Sequence, residues 1–199
     1  MTKPKIGIIL SSTRESRFAD RPARWVKDIA LKRGDSDYEI IDLRDYPLPF
    51  FSNPASPRYA PLTDEAQLRF VRKLAEFDGY IFVTAEYNHT LPGVLTNALS
   101  YVGDEMEKKP AAFVGYGAAG GARAVEHLRA LVVELSSVPT RYAVHINMEP
   151  LVGMLREGKD FGDYDYLAPS VTPMLDELTW YVHTLKAGRQ SQAREQVAA

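Results

Sequence analysis

Short runs of consecutive apolar residues alternate along the chain with longer amphipathic segments. Residues 6–10, 79–84 and 111–116 are rich in β-branched and aromatic side chains. Such runs are typical of strands that are buried on both faces of a sheet. Residues 38–42 and 141–147 are predicted as two further strands. The pattern therefore predicts five strands.

Apolar residues at helical spacing fill the intervals between these strands. Leu68, Val71 and Leu74 fall on one stripe, and Asp64 stands where a capping residue is expected. Comparable stripes predict helices over residues 18–33, 64–77, 92–102, 121–136 and 171–186.

Repeated alternation of strand and helix implies parallel βαβ units with right-handed crossovers. We therefore expect an α/β fold in three layers, with a doubly wound, five-stranded parallel sheet in the flavodoxin-like order 2-1-3-4-5. In this order the ligand site lies beyond the carboxyl ends of the strands. Residues 1–187 are predicted to form a single domain, and the small, polar residues 188–199 a flexible tail.

The amino-acid composition excludes several kinds of reaction and partner. The 199 residues include no cysteine, which excludes disulfides, thiolate nucleophiles and cysteine-ligated metal centres. The 24 basic and 26 acidic residues nearly balance, so neither nucleic acid nor an anionic membrane is an expected partner. The apolar run near the N-terminus is too short for a signal peptide or membrane span, so a cytoplasmic protein is expected. The four histidines lack ligand spacing, and no metal site is predicted.

Three loops follow the strands whose ends should converge. The first loop, residues 11–19, contains four hydroxyl side chains together with Arg14 and Arg17, just before a helix. Free N–H groups and the helix dipole favour an anion at such a position, so the loop suits a phosphate. The alternative is that the hydroxyls only cap the helix and the arginines are solvated.

The second loop, residues 84–93, places Glu86, Tyr87, Asn88 and His89 in succession. Its backbone amides and Asn88 suit the edge of a flat heterocycle, with Tyr87 or His89 beside it. Taken singly, a packed tyrosine and a surface histidine are the simpler interpretations.

The third loop, residues 115–124, has four glycines within seven residues. Glycine permits close approach of the backbone to a ligand. Together the three loops describe a site for a phosphorylated, flat, aromatic ligand. FMN fits better than a dinucleotide, because there is one phosphate loop and no dinucleotide turn.

At these residues the sequence resembles the NADPH-dependent FMN reductase family, flavin enzymes of flavodoxin-like fold that include azo-dye, quinone and metal-oxyanion reductases. Residues 12–17 resemble the family's phosphate loop. Residues 86–90, with Pro92 and Gly93, are similar to its P-E-Y-N signature, and residues 120–124 to its G-G-x-R-A motif.

The resemblance implies which residues bind FMN. Ser12, Arg14 and Arg17 would hold the phosphate, and Thr13, Phe18 and Ala19 of the same loop would also contact the cofactor. Those at the ring would be Glu86, Tyr87, Asn88, His89, Gly117, Gly120 and Gly121. NAD(P)H would be the co-substrate, and a flavin, quinone, azo compound or metal oxyanion the small acceptor. No catalytic side chain is required, because the flavin carries the chemistry.

Two alternatives stay open at this point. One is a flavodoxin-type electron carrier without NAD(P)H activity of its own, although the charge balance argues against an acidic docking surface. The other is a ligand-free interaction module that uses the proline-rich residues 47–61. The resemblance also implies a homodimer or homotetramer, for which apolar residues at 47–51 and 151–155 give support.

Overall fold

In the computed structural model, which describes residues 3–198, five parallel strands form one sheet in the order β2-β1-β3-β4-β5. The strands are β1 Lys5–Leu10, β2 Asp37–Asp42, β3 Gly79–Ala85, β4 Pro110–Tyr116 and β5 Val138–Ile146. The predicted fold class and strand order are confirmed.

Helices cover both faces of the sheet. They are α1 Asp20–Arg33, α2 Glu65–Ala75, α3 Gly93–Leu99, α4 Ala122–Glu134, α5 Met148–Arg156 and α6 Leu167–Ala198. One core joins α1 and α6 to the sheet, and a second core joins α2, α3 and α4 to its other face. Every residue of β3 and β4 is buried, which explains why these strands are predominantly apolar.

The structure differs from the sequence prediction in two helices. Helix α5 occupies residues for which no helix was predicted. Within the apolar patch predicted at 151–155, Met154 is buried and Leu151 packs on the core, whereas Leu155 is exposed. Helix α6 continues through residues 188–198, where a flexible tail was predicted. In this part of α6, the Arg189 guanidinium donates hydrogen bonds to the Asp78 carboxylate, at 3.0 Å, and to the Lys108 carbonyl. Residue 199 lies outside the described residues.

No helix within residues 3–198 combines the length and the apolar character that crossing a membrane requires.

Candidate functional site

The first and second loops meet beyond β1 and β3, which are neighbours in the sheet. Ser12 is buried, and its Oγ lies 3.0 Å from the hydroxyl of Tyr87. The guanidinium of Arg14 lies over the Tyr87 ring, 3.8 Å from the ring centroid. The convergence that the strand order predicts is therefore present.

The first loop offers hydrogen-bond donors to an anion. Ala19, which precedes α1, has no side-chain oxygen with which to cap the helix. Within residues 3–198, no protein acceptor binds the backbone amides of Thr13, Glu15 and Ser16. Free backbone amides in a loop, with an arginine beside them, are a donor set that suits a phosphate. Phe18 and Ala19 are themselves buried beneath this loop.

The Arg17 side chain, in contrast, donates its hydrogen bonds to groups of the protein. All five of its N–H groups are donated to protein acceptors: two to Asp20 at 2.7 and 2.8 Å, two to Asp42 at 2.6 and 2.5 Å, and one to the Ser12 carbonyl at 2.8 Å. Its side chain is 2% exposed. Hydrogen bonds from Arg17 lower the pKa of Asp20. A direct phosphate contact by Arg17 stays a prediction, and it would require one of these bonds to break.

Asp42 is the second carboxylate of this cluster. Partial burial alone would raise the pKa of Asp42, but hydrogen bonds from the Arg17 side chain and the Arg44 amide lower it. A carboxyl whose pKa is lowered by folding stabilises the folded protein. This contribution is complete above the unfolded pKa, near 3.8, and it is lost as the pH falls through the pKa of the folded state.

We expect Asp42→Asn to reduce the free energy of unfolding at pH 7 by about 2 kcal/mol, because Arg17 loses its charged partner. The difference from the parent protein should shrink as pH is lowered from 5 toward 3. Urea unfolding followed by tryptophan fluorescence at several pH values measures this. A difference that does not change with pH would show that the Asp42 charge is not what stabilises the loop.

The tip of the second loop is a tight turn. Tyr87 and Thr90 exchange two backbone hydrogen bonds, at 2.9 and 3.0 Å. Asn88 and His89 both have left-handed backbone conformations, with φ of 52° and 64°, and both are exposed. Such conformations cost free energy outside glycine, and they concentrate at functional sites. The turn presents the two side chains that were predicted to lie beside a heterocyclic ring.

The Glu86 side chain binds another part of the protein, and its predicted place beside the ring stays a prediction. Its side chain is 3% exposed and forms an ion pair with Arg123. It accepts from Arg123 Nε at 2.6 Å and from the Arg123 amide at 3.1 Å. Burial would raise the pKa of Glu86, but the bonds from Arg123 lower it, so the carboxylate stays charged. Glu86 thereby joins the second loop to the start of α4.

Packing within the protein already requires the glycines of the third loop. Gly121 has φ of 71°, and a Cβ there would lie 2.5 Å from the Tyr116 amide nitrogen. Gly120 has φ of 64°, and its Cβ would lie 2.4 Å from Asn147 Oδ1. A Cβ on Gly117 would lie 3.2 Å from the Glu86 Cβ, so the second and third loops are also in contact. All three predicted loops therefore converge at one edge of the sheet.

Tyr116, at the end of β4, was not predicted as a site residue. Its ring packs edge-on against Phe18, with centroids 5.3 Å apart, and its hydroxyl has no hydrogen-bond partner within residues 3–198. Burial raises the pKa of this phenol. A buried hydroxyl of this kind beneath the first loop is available to an oxygen of a bound ligand.

A cleft of about 670 Å³ opens beside the first two loops. Its lining includes Arg14, Phe50, Phe51, Tyr87, Asn88 and Leu91. Asn97, on α3, fixes one wall: its side chain donates to the Pro49 carbonyl at 2.7 Å and accepts from the Phe51 amide at 2.8 Å. This wall was not predicted, because the proline content of residues 47–61 and the apolar residues at 47–51 were interpreted only as possible contact surfaces.

The strand order defines a protein of flavodoxin-like architecture, and proteins of this architecture bind their ligands at the switch point of the sheet. The family model described as NADPH-dependent FMN reductase matches residues 4–149, and the chain belongs to that family. The protein is thus an NAD(P)H-dependent oxidoreductase with FMN as its cofactor. The alternative of an electron carrier without enzymatic activity is thereby disfavoured.

Individual relatives agree with this assignment. The chain is 32% identical to an NAD(P)H-dependent FMN reductase of Schizosaccharomyces pombe, over 75% of this chain and 76% of that protein. It is 31% identical to a 2-hydroxy-1,4-benzoquinone reductase of a Burkholderia species, over 71% and 79% of the two chains. The structure of the Paracoccus denitrificans flavoenzyme FerB, an NAD(P)H:(acceptor) oxidoreductase, has the same fold, with a TM-score of 0.69, 19% identity and coverage of 91% and 98%.

Proposed function

We propose that this oxidoreductase reduces a small, planar, quinone-like acceptor. The observation that carries the proposal is the lining of the cleft. Within residues 3–198, the aromatic rings of Phe50, Phe51 and Tyr87 line it together with neutral polar groups and one cation, Arg14, and no carboxylate lines it. Aromatic walls with a few polar groups suit an uncharged planar ligand.

Different residues of the site would bind different parts of FMN. Ser12, Arg14 and the amides of the first loop would hold the phosphate of FMN. The turn at Asn88 and His89, together with the third loop, would hold its ring. When bound, FMN supplies the redox chemistry, accepting a hydride from NAD(P)H and delivering electrons to the acceptor. No side chain of the site has to act as a nucleophile.

Phe50 is the residue that we expect to contribute most to binding of the acceptor. It is 88% exposed although it lies at the mouth of the cleft, and Asn97 and Tyr101 both bind the preceding carbonyl of Pro49. The backbone below Phe50 is thus held in place while its ring stays accessible. A ring presented in this way can stack on a planar acceptor. Names of relatives that include a benzoquinone reductase give further support.

Replacing Phe50 with alanine should raise the KM for 1,4-benzoquinone about fivefold, since a stacking contact contributes on the order of 1 kcal/mol. The KM for NADH should stay within a factor of two. Tyr59→Ala is the matched control, because Tyr59 is 82% exposed on the same segment and does not line this cleft. Steady-state kinetics with purified protein measures both. Equal effects of the two substitutions would place the acceptor elsewhere.

A free flavin is the second candidate acceptor. The cleft volume of about 670 Å³ is within the usual range for ligands of that size, and the Schizosaccharomyces pombe relative is named an FMN reductase. The ratio of kcat/KM for 1,4-benzoquinone to that for riboflavin distinguishes the two. A ratio above 10 supports the quinone, and a ratio below 1 supports the free flavin.

A further inference from the structure

The carbonyl side of the first loop is bound by two arginines, one of which comes from a different part of the chain. The Ser12 carbonyl accepts from Arg17 Nη1 at 2.8 Å. The next three carbonyls, of Thr13, Arg14 and Glu15, accept from the guanidinium of Arg44, with distances of 3.4 Å to Thr13 and 3.1 Å to Glu15. Four consecutive carbonyls of the loop are therefore directed toward guanidinium groups.

This arrangement fixes the direction of the amides. In a trans peptide unit the C=O and the following N–H point in opposite directions, and no peptide bond in the described chain is cis. Carbonyls 12–15 that face the arginines therefore turn the amides of residues 13–16 to the opposite side. Successive amides on one side of a loop form a concave anion-binding nest.

The strand order explains how Arg44 reaches the loop. Asp42, the last residue of β2, is paired in register with Leu10, the last residue of β1. Asp42 binds the Arg44 amide at 2.9 Å and two N–H groups of Arg17. One carboxylate thus anchors both arginines behind the loop. The guanidinium of Arg44 has only carbonyl partners within residues 3–198.

We propose that Arg44 is a positioning residue that orients the first loop and thereby gives the protein its preference for a phosphorylated flavin. Arg44 acts from the carbonyl side, so it does not contact the phosphate. This inference rests on the proposed role of the first loop as the phosphate site. It predicts that loss of Arg44 weakens recognition of the phosphate and leaves recognition of the ring unchanged.

The test measures dissociation constants of FMN and riboflavin by flavin fluorescence, for the parent protein and three variants. Arg44→Ala should weaken FMN at least tenfold and riboflavin less than threefold. Arg44→Lys keeps the charge but loses the forked donors, and it should recover less than half of that loss on a logarithmic scale. Arg24→Ala removes an exposed arginine of α1 and should change neither constant by more than twofold.

A second measurement covers the case of a poorly folded variant. Amide hydrogen exchange at Arg17, whose N–H donates to the Arg14 carbonyl at 3.2 Å, should be faster in both Arg44 variants than in the parent protein without flavin, while β3 and β4 stay protected. Unchanged exchange in the loop, full recovery by Arg44→Lys, or equal losses for FMN and riboflavin would each overturn the positioning role. If the parent protein itself shows no preference for FMN over riboflavin, the phosphate site is misassigned, and the failure belongs to the proposed function.

Discussion

Arg14→Ala should weaken FMN binding by about 10- to 100-fold, the loss expected for one charge-assisted hydrogen bond of about 1.5–3 kcal/mol. Arg14 is the arginine of the first loop that binds no carboxylate within residues 3–198; its guanidinium stacks on Tyr87 instead. Riboflavin has the same ring without the phosphate, so its affinity should fall no more than about threefold, the share of the stacking contact. Fluorescence titration of both flavins measures the difference.

Arg14→Lys is the control for this prediction. Lysine keeps the positive charge, so most of the preference for FMN over riboflavin should return, although the stacking on Tyr87 is weaker. If Arg14→Ala weakens the two flavins equally, Arg14 supports the ring or the loop fold and does not bind the phosphate.

Gly121→Ala should lower the free energy of unfolding by about 3 kcal/mol. A left-handed conformation with φ of 71° is strained for alanine, and its Cβ would lie 2.5 Å from the Tyr116 amide nitrogen and 2.7 Å from the Gly115 Cα. Neither atom belongs to a flexible side chain, so the third loop has to move. Urea denaturation measures the loss, and FMN affinity should fall with it.

Gly34→Ala separates the cost of the left-handed backbone conformation from the cost of the steric clash. Gly34 ends α1 with nearly the same φ, 69°, and an added Cβ would meet nothing within 4 Å. Only the conformational cost of about 1 kcal/mol applies there. If the two substitutions destabilise the protein equally, the close packing of the third loop does not contribute to stability.

The strands and their order were predictable because each central strand is covered on both faces. Such strands contain continuous apolar runs that are visible in the sequence alone. Helix α5 was not predictable in the same way, since its nine residues include Pro150 and Gly153, both poor helix formers. The polar end of α6 lacks an apolar stripe, but its alanine, glutamine and arginine residues favour a helix.

The site was predictable as three loops but not as a set of contacts. Hydroxyl, polar and glycine-rich segments after β1, β3 and β4 indicate the edge of the sheet at which the three loops converge. Asp42, one partner of Arg17, and Arg123, the partner of Glu86, lie far away in sequence, and only the folded chain shows these two ion pairs. Asp42 and Arg44 were not singled out, although the order β2-β1 places the end of β2 beside the first loop.

In the proposed reaction, FMN bound at these three loops carries electrons from NAD(P)H to a quinone-like acceptor. The most direct test is the visible absorbance of the purified protein mixed with FMN, followed without oxygen as NADH or NADPH is added and then 1,4-benzoquinone. We expect the flavin absorbance to disappear with the reduced nicotinamide and to return with the quinone. Flavin that does not bind, or that stays oxidised in the presence of both nicotinamides, would contradict the account.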